Sequence, residues 1–354
     1  MIYYGDYLQV DTILNAQHPE SEKAGNPAHE ELLFIITHQT FELWFKQVLH
    51  EIGSVITLLD RDYVPESDVS LCQARLRRVN TIMEHLCNQW SLIETMTPGE
   101  FMDFRAYLNP ASGFQSAQWR MLERTLGLPE DKRVLKHYTD ALNSNHRAMV
   151  LASGERTLFD VIQRWLEKTP FLESGEYAFW NSYRDAVSAM LNKDRSEVEI
   201  LAKAEHRDPT DALVQIDNVE KGFNSLFDPT EYQQLVEGGH RRMSQRATLA
   251  ILFISTYRDY PLLQLPYRLM DAIIELDKFV SIWRYRHTLM VSRMIGMRVG
   301  TGGSSGHDYL LKTTIKQRVF DDVTSLSSFL IPTSARPLLP PEVANRLQFV
   351  NEAG

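Results

Sequence analysis

Two long apolar seams, with members spaced alternately three and four residues apart, constrain the fold more than any other feature. One seam consists of Leu269, Ile273, Leu276, Val280, Trp283, His287, Met290 and Met294. The other consists of Phe34, His38, Phe41, Phe45, Val48, Ile52, Val55 and Leu59. Because side chains at this spacing share one face of an α-helix, residues 265–297 and 28–60 are predicted to form long helices, each with one buried face.

The rest of the chain is predicted to be helical as well. Strand signals are scarce, since no series of alternating apolar segments is joined by Asn-Gly or Asp-Gly turns. Helical periodicity marks ten further segments. These are 68–95, 98–107, 115–126, 130–148, 156–167, 175–193, 195–206, 208–225, 229–256 and 306–320. The predicted fold class is therefore all-α.

The domain organisation follows from length and local composition. The chain has 354 residues, of which 44% are hydrophobic and 23% charged, which is typical of a folded globular protein with a sizeable core. We predict one large helical domain over residues 28–331, preceded by an N-terminal segment, 1–27. Charge density rises after residue 193, and a peripheral helical insertion is assigned to 193–260. The proline-rich tail, 332–354, is predicted to lie extended on the surface.

Charge and terminal sequence exclude some classes of protein. Acidic residues outnumber basic ones 46 to 37, giving a net charge of -9, whereas binding to nucleic acid needs clustered Lys and Arg. The N-terminus lacks the basic and apolar regions of a signal peptide, and the longest apolar runs fall well short of the roughly 20 residues of a membrane span. We therefore expect no nucleic-acid partner, no membrane association and a cytoplasmic location.

His38 and His287 are the polar exceptions in the two seams. A buried imidazole needs partners for its ring nitrogens, so each could be a hydrogen-bonded core residue. A neutral imidazole on a rigid helix also suits a metal ligand. The chain has no His-x-x-x-His, Glu-x-x-His or His-Glu-x-x-His pattern, so a single histidine among aromatic and thioether side chains fits axial ligation of haem better than a zinc or di-iron site. Periodicity does not distinguish which histidine would bind the iron.

Cys72 and Cys87 are the only cysteines of the chain. Neither belongs to a Cys-x-x-Cys pair or to the Cys-x-x-Cys-His motif that attaches haem covalently. They are predicted to be buried thiols, and any haem would be held without covalent bonds.

A loop rich in Gly and Ser follows the helix that carries His287. It reads Gly300-Thr-Gly-Gly-Ser-Ser-Gly, and it lacks the Lys-Ser/Thr pair of a phosphate-binding Walker loop. It also follows a helix rather than a strand, which argues against a dinucleotide fingerprint. Such a loop could be a flexible connector, or it could fold over a small anionic ligand through its amides and the hydroxyls of Thr301, Ser304 and Ser305.

Arg105 lies in an aromatic setting just before a Pro/Ser/Gly turn. A guanidinium group there suits bidentate capture of a carboxylate. The alternative is an ordinary ion pair with Asp103 or Glu100.

Several segments together resemble the tryptophan 2,3-dioxygenases, in the family's order, from residue 4 to about residue 331. The matching stretches are Tyr4-Gly-Asp-Tyr-Leu-Gln-Val-Asp, Leu33-Phe-Ile-Ile-Thr-His-Gln-Thr-Phe-Glu-Leu-Trp-Phe-Lys-Gln, Ser91-Leu-Ile-Glu-Thr-Met-Thr, Asp103-Phe-Arg-Ala-Tyr-Leu-Asn-Pro-Ala-Ser-Gly-Phe-Gln-Ser, Trp283-Arg-Tyr-Arg-His and Gly300-Thr-Gly-Gly-Ser-Ser-Gly. Some of these stretches are short, but together they are very specific.

The resemblance implies a role for each matching polar residue. His287 would be the proximal ligand of haem b, with one ferrous haem per subunit in the active form. His38 would be the distal, catalytic histidine that hydrogen-bonds the indole N–H. Arg105 would pair with the carboxylate of the substrate, and Thr301 would contact its ammonium or carboxylate group.

The resemblance also implies an apolar pocket and a homotetramer, a dimer of dimers. Phe34 and Phe101 would form walls against the indole, although several bacterial relatives carry Tyr at the position of Phe101. Ser112 and Gly113 would lie on the distal side, near bound dioxygen. Tyr4, Tyr7 and Leu8 would reach into the pocket of a neighbouring subunit.

The implied activity is addition of O2 across the indole C2–C3 bond of L-tryptophan, giving N-formyl-L-kynurenine in the first step of the kynurenine pathway. Three alternatives stay open. A related haem-dependent oxygenase could act on tyrosine or a modified indole. A haem sensor or carrier would bind haem without turnover. A helical interaction protein would bind no cofactor.

Overall fold

A computed structural model describes residues 1–134, 136–174, 177–296, 311–314 and 317–349 of the chain. These residues are mostly helical, as the sequence predicts, and the only sheet among them is an antiparallel pair of two-residue strands, β1 and β2. β1 is Glu173–Ser174 and β2 is Tyr177–Ala178, with Glu173 opposite Ala178. None of the described helices is long and apolar enough to cross a membrane.

Sixteen α-helices are described. They are α1 Tyr4–Leu8, α2 Val10–Leu14, α3 Glu20–Lys23, α4 Glu30–Leu59, α5 Glu66–Ile93, α6 Pro98–Arg105, α7 Ala117–Leu126, α8 Ser144–Ala152, α9 Leu158–Glu167, α10 Phe179–Glu205, α11 Thr210–Phe227, α12 Pro229–Glu237, α13 Gln245–Thr256, α14 Pro261–Ile295, α15 Asp321–Ser325 and α16 Pro341–Arg346. Short 3-10 helices cover Ala106–Leu108, Gly113–Gln115 and Leu326–Phe329. Residues 311–314 are helical as well.

The chain divides into two compact units. The first contains residues 1–57, 74–158 and 275–319, and the second contains residues 58–73, 159–274 and 320–354. The predicted insertion, 193–260, lies within the second unit.

The first unit is built around α4, α5 and the C-terminal part of α14. The amide of Gln89 on α5 donates a hydrogen bond to the carbonyl of Thr37 on α4, over 3.0 Å. Arg286 on α14 donates to the carbonyl of Cys87 on α5, over 2.9 Å. These side-chain bonds to backbone carbonyls fix the three helices against one another, so residues on their facing sides keep fixed separations.

The second unit contains α9 to α13, α15 and α16. Its buried core is rich in aromatic side chains, including Phe179, Tyr183, Phe253 and Tyr257. The carboxylate of Asp322 accepts hydrogen bonds from the backbone N–H groups that precede α13.

Both predicted seams are confirmed. Apart from Phe34, every apolar member of the two seams is buried. Phe34, His38 and His287 are half-buried, because they line a cavity. The period of three and four residues therefore identified the packed faces of α4 and α14.

Several predicted helix boundaries were wrong. Residues 130–148 were predicted to be one helix, but the described residues up to 143 form turns, and α8 begins at Ser144 because the Asn143 side chain caps it. The segment 229–256 is two helices, since Gly239 adopts a positive φ of 71° and Ser244 caps α13. Such interruptions depend on cap and turn residues rather than on apolar period.

Other differences concern short elements and the chain ends. The predicted helices 175–193 and 195–206 are a single helix, α10, preceded by the small sheet. The predicted helix 306–320 ends earlier, because residues 317–319 are not helical. The tail, predicted to be extended, contains α16, and its Val343 and Leu347 are buried. Proline at the first position of a helix costs no hydrogen bond, so Pro341 starts α16 rather than preventing it.

Candidate active site

A cavity of about 540 Å³ lies inside the first unit. This volume falls in the range of ~300–1,000 Å³ that is usual for small-molecule and cofactor pockets. His38 on α4 and His287 on α14 both line it. The aromatic lining residues are Phe34, Phe41, Phe45, Trp90, Phe101, Phe114, Trp119 and Trp283. The two polar exceptions of the seams thus meet in one largely apolar space.

His287 packs beside two indole rings. Its ring stacks on that of Trp90 with 4.8 Å between centroids and 12° between planes, and the ring of Trp283 lies 5.6 Å away. Burial, together with the smaller effects of the nearby His38 and Arg120, lowers the pKa of His287 to about 4. The imidazole is therefore neutral at neutral pH, which is the form that can bind a metal ion.

His38, which lies on α4, has a different environment. Its Nδ1 lies 2.7 Å from the carbonyl oxygen of Phe34. A carbonyl oxygen can only accept, so Nδ1 carries the proton and Nε2 is the acceptor of the ring. Burial lowers the pKa of His38, against smaller opposing effects of this hydrogen bond and of Glu42. The ring is thus a neutral hydrogen-bond acceptor of fixed orientation.

Three phenylalanine rings form an apolar wall beside His38. The Phe34 ring lies 4.1 Å from the His38 ring, 5.8 Å from that of Phe101 and 5.6 Å from that of Phe104. The Phe101 and Phe104 rings meet edge to face at 5.3 Å. Such a wall can hold an aromatic ring and exclude water from it.

Arg105 is placed at the end of α6, one turn after Phe101. This helix has a well-defined start, because Thr97 and Glu100 form a reciprocal capping box and Pro98 occupies the first turn. Residues four apart share a helix face, and both Phe101 and Arg105 line the cavity. The guanidinium group therefore lies at the same side of the pocket as the phenylalanine wall.

Ser112 and Gly113 line the cavity from the short segment before α7. The Ser112 hydroxyl accepts a hydrogen bond from the N–H of Phe114, and the Gln115 side chain accepts one from the N–H of Ser112. A Cβ atom added to Gly113 would meet no other atom within 4 Å. The segment is thus a small closed turn with open space beside its glycine.

A buried charge cluster adjoins the cavity. The carboxylate of Glu123, which is only 2% exposed, accepts hydrogen bonds from Arg120, Arg133 and Arg284 and from the Trp119 indole. Burial alone would raise the pKa of Glu123, but the attraction of the three guanidinium groups outweighs it and lowers the pKa to about 2. Arg120, Glu123 and Arg284 line the cavity, so its wall carries an excess of buried positive charge.

Two buried indole N–H groups at the cavity are donors without an acceptor among the described residues. They belong to Trp90 and Trp283, whose rings lie 5.2 Å apart. A buried donor without a partner is costly, so such groups point to a ligand or ordered water. Within the described part of the chain, no three His, Cys, Asp or Glu side chains form a metal-chelating group.

The structure brings together seven of the residues that were predicted to form the site. Phe34, His38, Phe101, Arg105, Ser112, Gly113 and His287 all line the cavity. Tyr4, Tyr7 and Leu8 lie on α1 and are exposed, away from the cavity lining. Thr301 and the rest of the Gly/Ser loop lie outside the described residues.

Sequence reasoning missed Trp90, Arg120, Glu123 and Arg284. One signal was available for α7, because Arg120 and Glu123 fall on the same helix face as the buried Trp119 and Leu122. Charged residues on an apolar face indicate either a buried ion pair or a site. Trp90 is an apolar residue on its helix, so it gives no signal of this kind.

The fold and cavity define a predominantly helical protein whose aromatic pocket is lined by two neutral histidines and by buried arginines. Comparison with known proteins identifies its relatives. The family model of tryptophan 2,3-dioxygenase matches residues 1–330. The chain is 42% identical to the tryptophan 2,3-dioxygenase of Bdellovibrio bacteriovorus over 98% of both chains, and 40% identical to that of Xenopus laevis over 97% of this chain and 85% of the relative. The chain belongs to the tryptophan 2,3-dioxygenase family.

Proposed function

We propose that the chain is a haem-dependent dioxygenase that inserts O2 across the indole C2–C3 bond of L-tryptophan to give N-formyl-L-kynurenine, the first step of the kynurenine pathway. The observation that carries the proposal is the pair His38 and His287, which line one aromatic cavity from two helices. Their different environments suit different tasks. The His287 ring stacks on Trp90, whereas His38 is oriented by a backbone hydrogen bond.

The residues of the cavity fit haem b, one per chain. His287 would bind the iron, and Ser112 and Gly113 would lie on the opposite side. The two propionate groups of haem need positive charge and hydrogen-bond donors, which the buried Arg284 and the unpaired indole N–H of Trp283 can supply. Haem b in its ferrous form supplies the activation of O2.

The protein residues then bind and orient the substrate. Phe34 and Phe101 would pack against the indole ring and keep water away from it. Nε2 of His38 would accept a hydrogen bond from the indole N–H, and Arg105 would bind the carboxylate in a bidentate manner. Thr301 would contact the amino-acid end. With both ends of tryptophan held, few poses remain, which is how an enzyme reduces the entropic part of a barrier.

The N-terminal segment supports a further proposal about assembly. Tyr4 and Tyr7 are each 73% exposed and Leu8 is 40% exposed. Exposed apolar clusters of this kind indicate an interaction surface. We propose that these residues reach the pocket of a neighbouring subunit in a homotetramer, a dimer of dimers, located in the cytoplasm.

Product analysis with labelled oxygen tests the proposed reaction. The haem-loaded, reduced protein is mixed with L-tryptophan and ¹⁸O2, and the product is analysed by mass spectrometry. We expect N-formyl-L-kynurenine carrying two labelled atoms. Conversion of tyrosine or of a substituted indole, with no conversion of tryptophan, would instead establish the related oxygenase. Haem binding without turnover of any of these would contradict both.

A further inference from the structure

We infer that Glu42 is a positioning residue that ties the Ser112–Gly113 turn to the helix of His38. This inference rests on the proposed function, because it concerns the distal side of the same pocket. Glu42 lies one helical turn after His38 on α4 and also lines the cavity. It belongs to none of the motif roles that the resemblance implies.

Both oxygens of the Glu42 carboxylate are used to hold the segment that leads into α7. Oε1 accepts from the hydroxyl of Ser116 over 2.6 Å, and Oε2 accepts from the amide of Gln118 over 2.9 Å. The same Gln118 amide also donates to the backbone carbonyl of Glu42 over 2.7 Å. Hydrogen bonds to an ionised carboxylate are shorter and stronger than those between neutral groups.

The segment held by Glu42 is itself a closed turn that leads into α7. The Ser112 hydroxyl accepts a hydrogen bond from the N–H of Phe114, and the Gln115 side chain accepts one from the N–H of Ser112, so these bonds close the turn. Ser116 ends the turn and caps α7 by accepting from the N–H of Trp119. The Glu42 carboxylate therefore joins the end of the turn and the start of α7 to the helix of His38, and the bond from Gln118 to the Glu42 carbonyl reinforces this tie.

The start of α7 also contacts α14, the helix that carries His287. The Trp119 ring stacks on that of Trp283 with 4.1 Å between centroids, and Trp283 lies one turn before His287. Glu42 thus acts on the pocket through its neighbours. A neutral residue of the same shape can serve, because a glutamine can accept from the Gln118 amide and donate to the Ser116 hydroxyl.

Paired substitutions test the inference. Glu42→Ala removes both carboxylate bonds, Glu42→Gln keeps the shape of the side chain without its charge, and Gln118→Leu removes both bonds of the Gln118 amide. We expect Glu42→Ala to lower kcat about tenfold or more and to change the KM for tryptophan less than threefold, because Arg105 is untouched. Glu42→Gln should stay within threefold of wild type. Gln47→Leu, which removes an amide bond to Glu51 on the same helix, is the matched control.

Hydrogen exchange gives a second readout that needs neither haem nor turnover. In the haem-free protein, Glu42→Ala and Gln118→Leu should speed amide exchange about tenfold in residues 112–119 and leave α5 unchanged. The double variant should exchange faster than either single variant but less than their two effects combined would give, because both single variants lose the same Gln118–Oε2 bond. Equal damage in Glu42→Gln and Glu42→Ala, additive losses, or unaltered exchange in 112–119 would overturn the inference. If Glu42→Ala does not fold, the same exchange measurement on Gln118→Leu tests the inference. If the wild-type protein binds no haem, the proposed function is contradicted, but the inference about Glu42 is not.

Discussion

Replacement of Glu123 by glutamine should strongly destabilise the first unit. The substitution keeps the shape but removes the negative charge that three buried guanidinium groups, of Arg120, Arg133 and Arg284, share. Removing one partner of a buried ion pair costs about 3–5 kcal/mol. The pKa of Glu123 gives a free energy of the same size. A pKa of about 2, compared with the ordinary 4.5, corresponds to about 3 kcal/mol at about 1.36 kcal/mol per pKa unit.

Urea denaturation, followed by tryptophan fluorescence, measures this loss of stability. Glu51→Gln is the matched control. Glu51 is 4% exposed, but its arginine partner, Arg78, has a side chain that is 59% exposed, so we expect a loss of about 1 kcal/mol or less. A Glu123→Gln variant that loses no more stability than Glu51→Gln would refute the assignment of a tightly coupled charge cluster.

The pH dependence of the same difference is a further check. The pKa of Glu123 in the folded protein lies below its unfolded value. Its contribution is therefore complete above about pH 4.5 and is lost as the pH falls towards 2. The stability difference between wild type and Glu123→Gln should be constant between neutrality and about pH 5, then shrink on further acidification. A difference that grows on acidification would contradict the sign of the shift.

Three other substitutions address the pocket. Arg105→Ala should raise the KM for tryptophan by ten- to a hundredfold, since each hydrogen bond to a charged group is worth about 1.5–3 kcal/mol. An unchanged KM in steady-state assays would show that Arg105 does not bind the carboxylate of the substrate. Phe101→Tyr adds a hydroxyl near that carboxylate and should change KM less than tenfold, with kcat kept; loss of kcat would show that the wall must be apolar at this position. Gly113→Ala should leave the thermal unfolding temperature unchanged, because its Cβ meets no atom within 4 Å. The same variant should reduce turnover if the open space is used in catalysis, and full activity would place Gly113 outside the reaction space.

The sequence predicted those parts of the fold and site that depend on local pattern. The seams of α4 and α14 follow from helical period, so their buried faces and both histidines could be located without a structure. Arg105 was recognisable because a guanidinium group among aromatic residues is unusual. These features need only neighbours along one helix.

Other parts depend on neighbours that are distant in sequence. The stacking of Trp90 on His287 joins α5 to α14, and the tie between Glu42 and Gln118 joins α4 to α7, so neither has a periodic signal. The same holds for Arg284, whose carboxylate partner is 161 positions away. The break at Gly239 was missed because its cause is a local backbone conformation rather than a change in apolar pattern.

We propose that His287 binds the haem iron while His38 faces the substrate. Magnetic circular dichroism of haem-loaded His287→Ala and His38→Ala, each compared with wild type, distinguishes these two roles because the spectrum reports axial ligation by histidine. We expect this signature to disappear in His287→Ala and to persist in His38→Ala, which should also keep its haem and measurable turnover. Loss of the signature in His38→Ala with retention in His287→Ala, or equal haem loss in both, would contradict it.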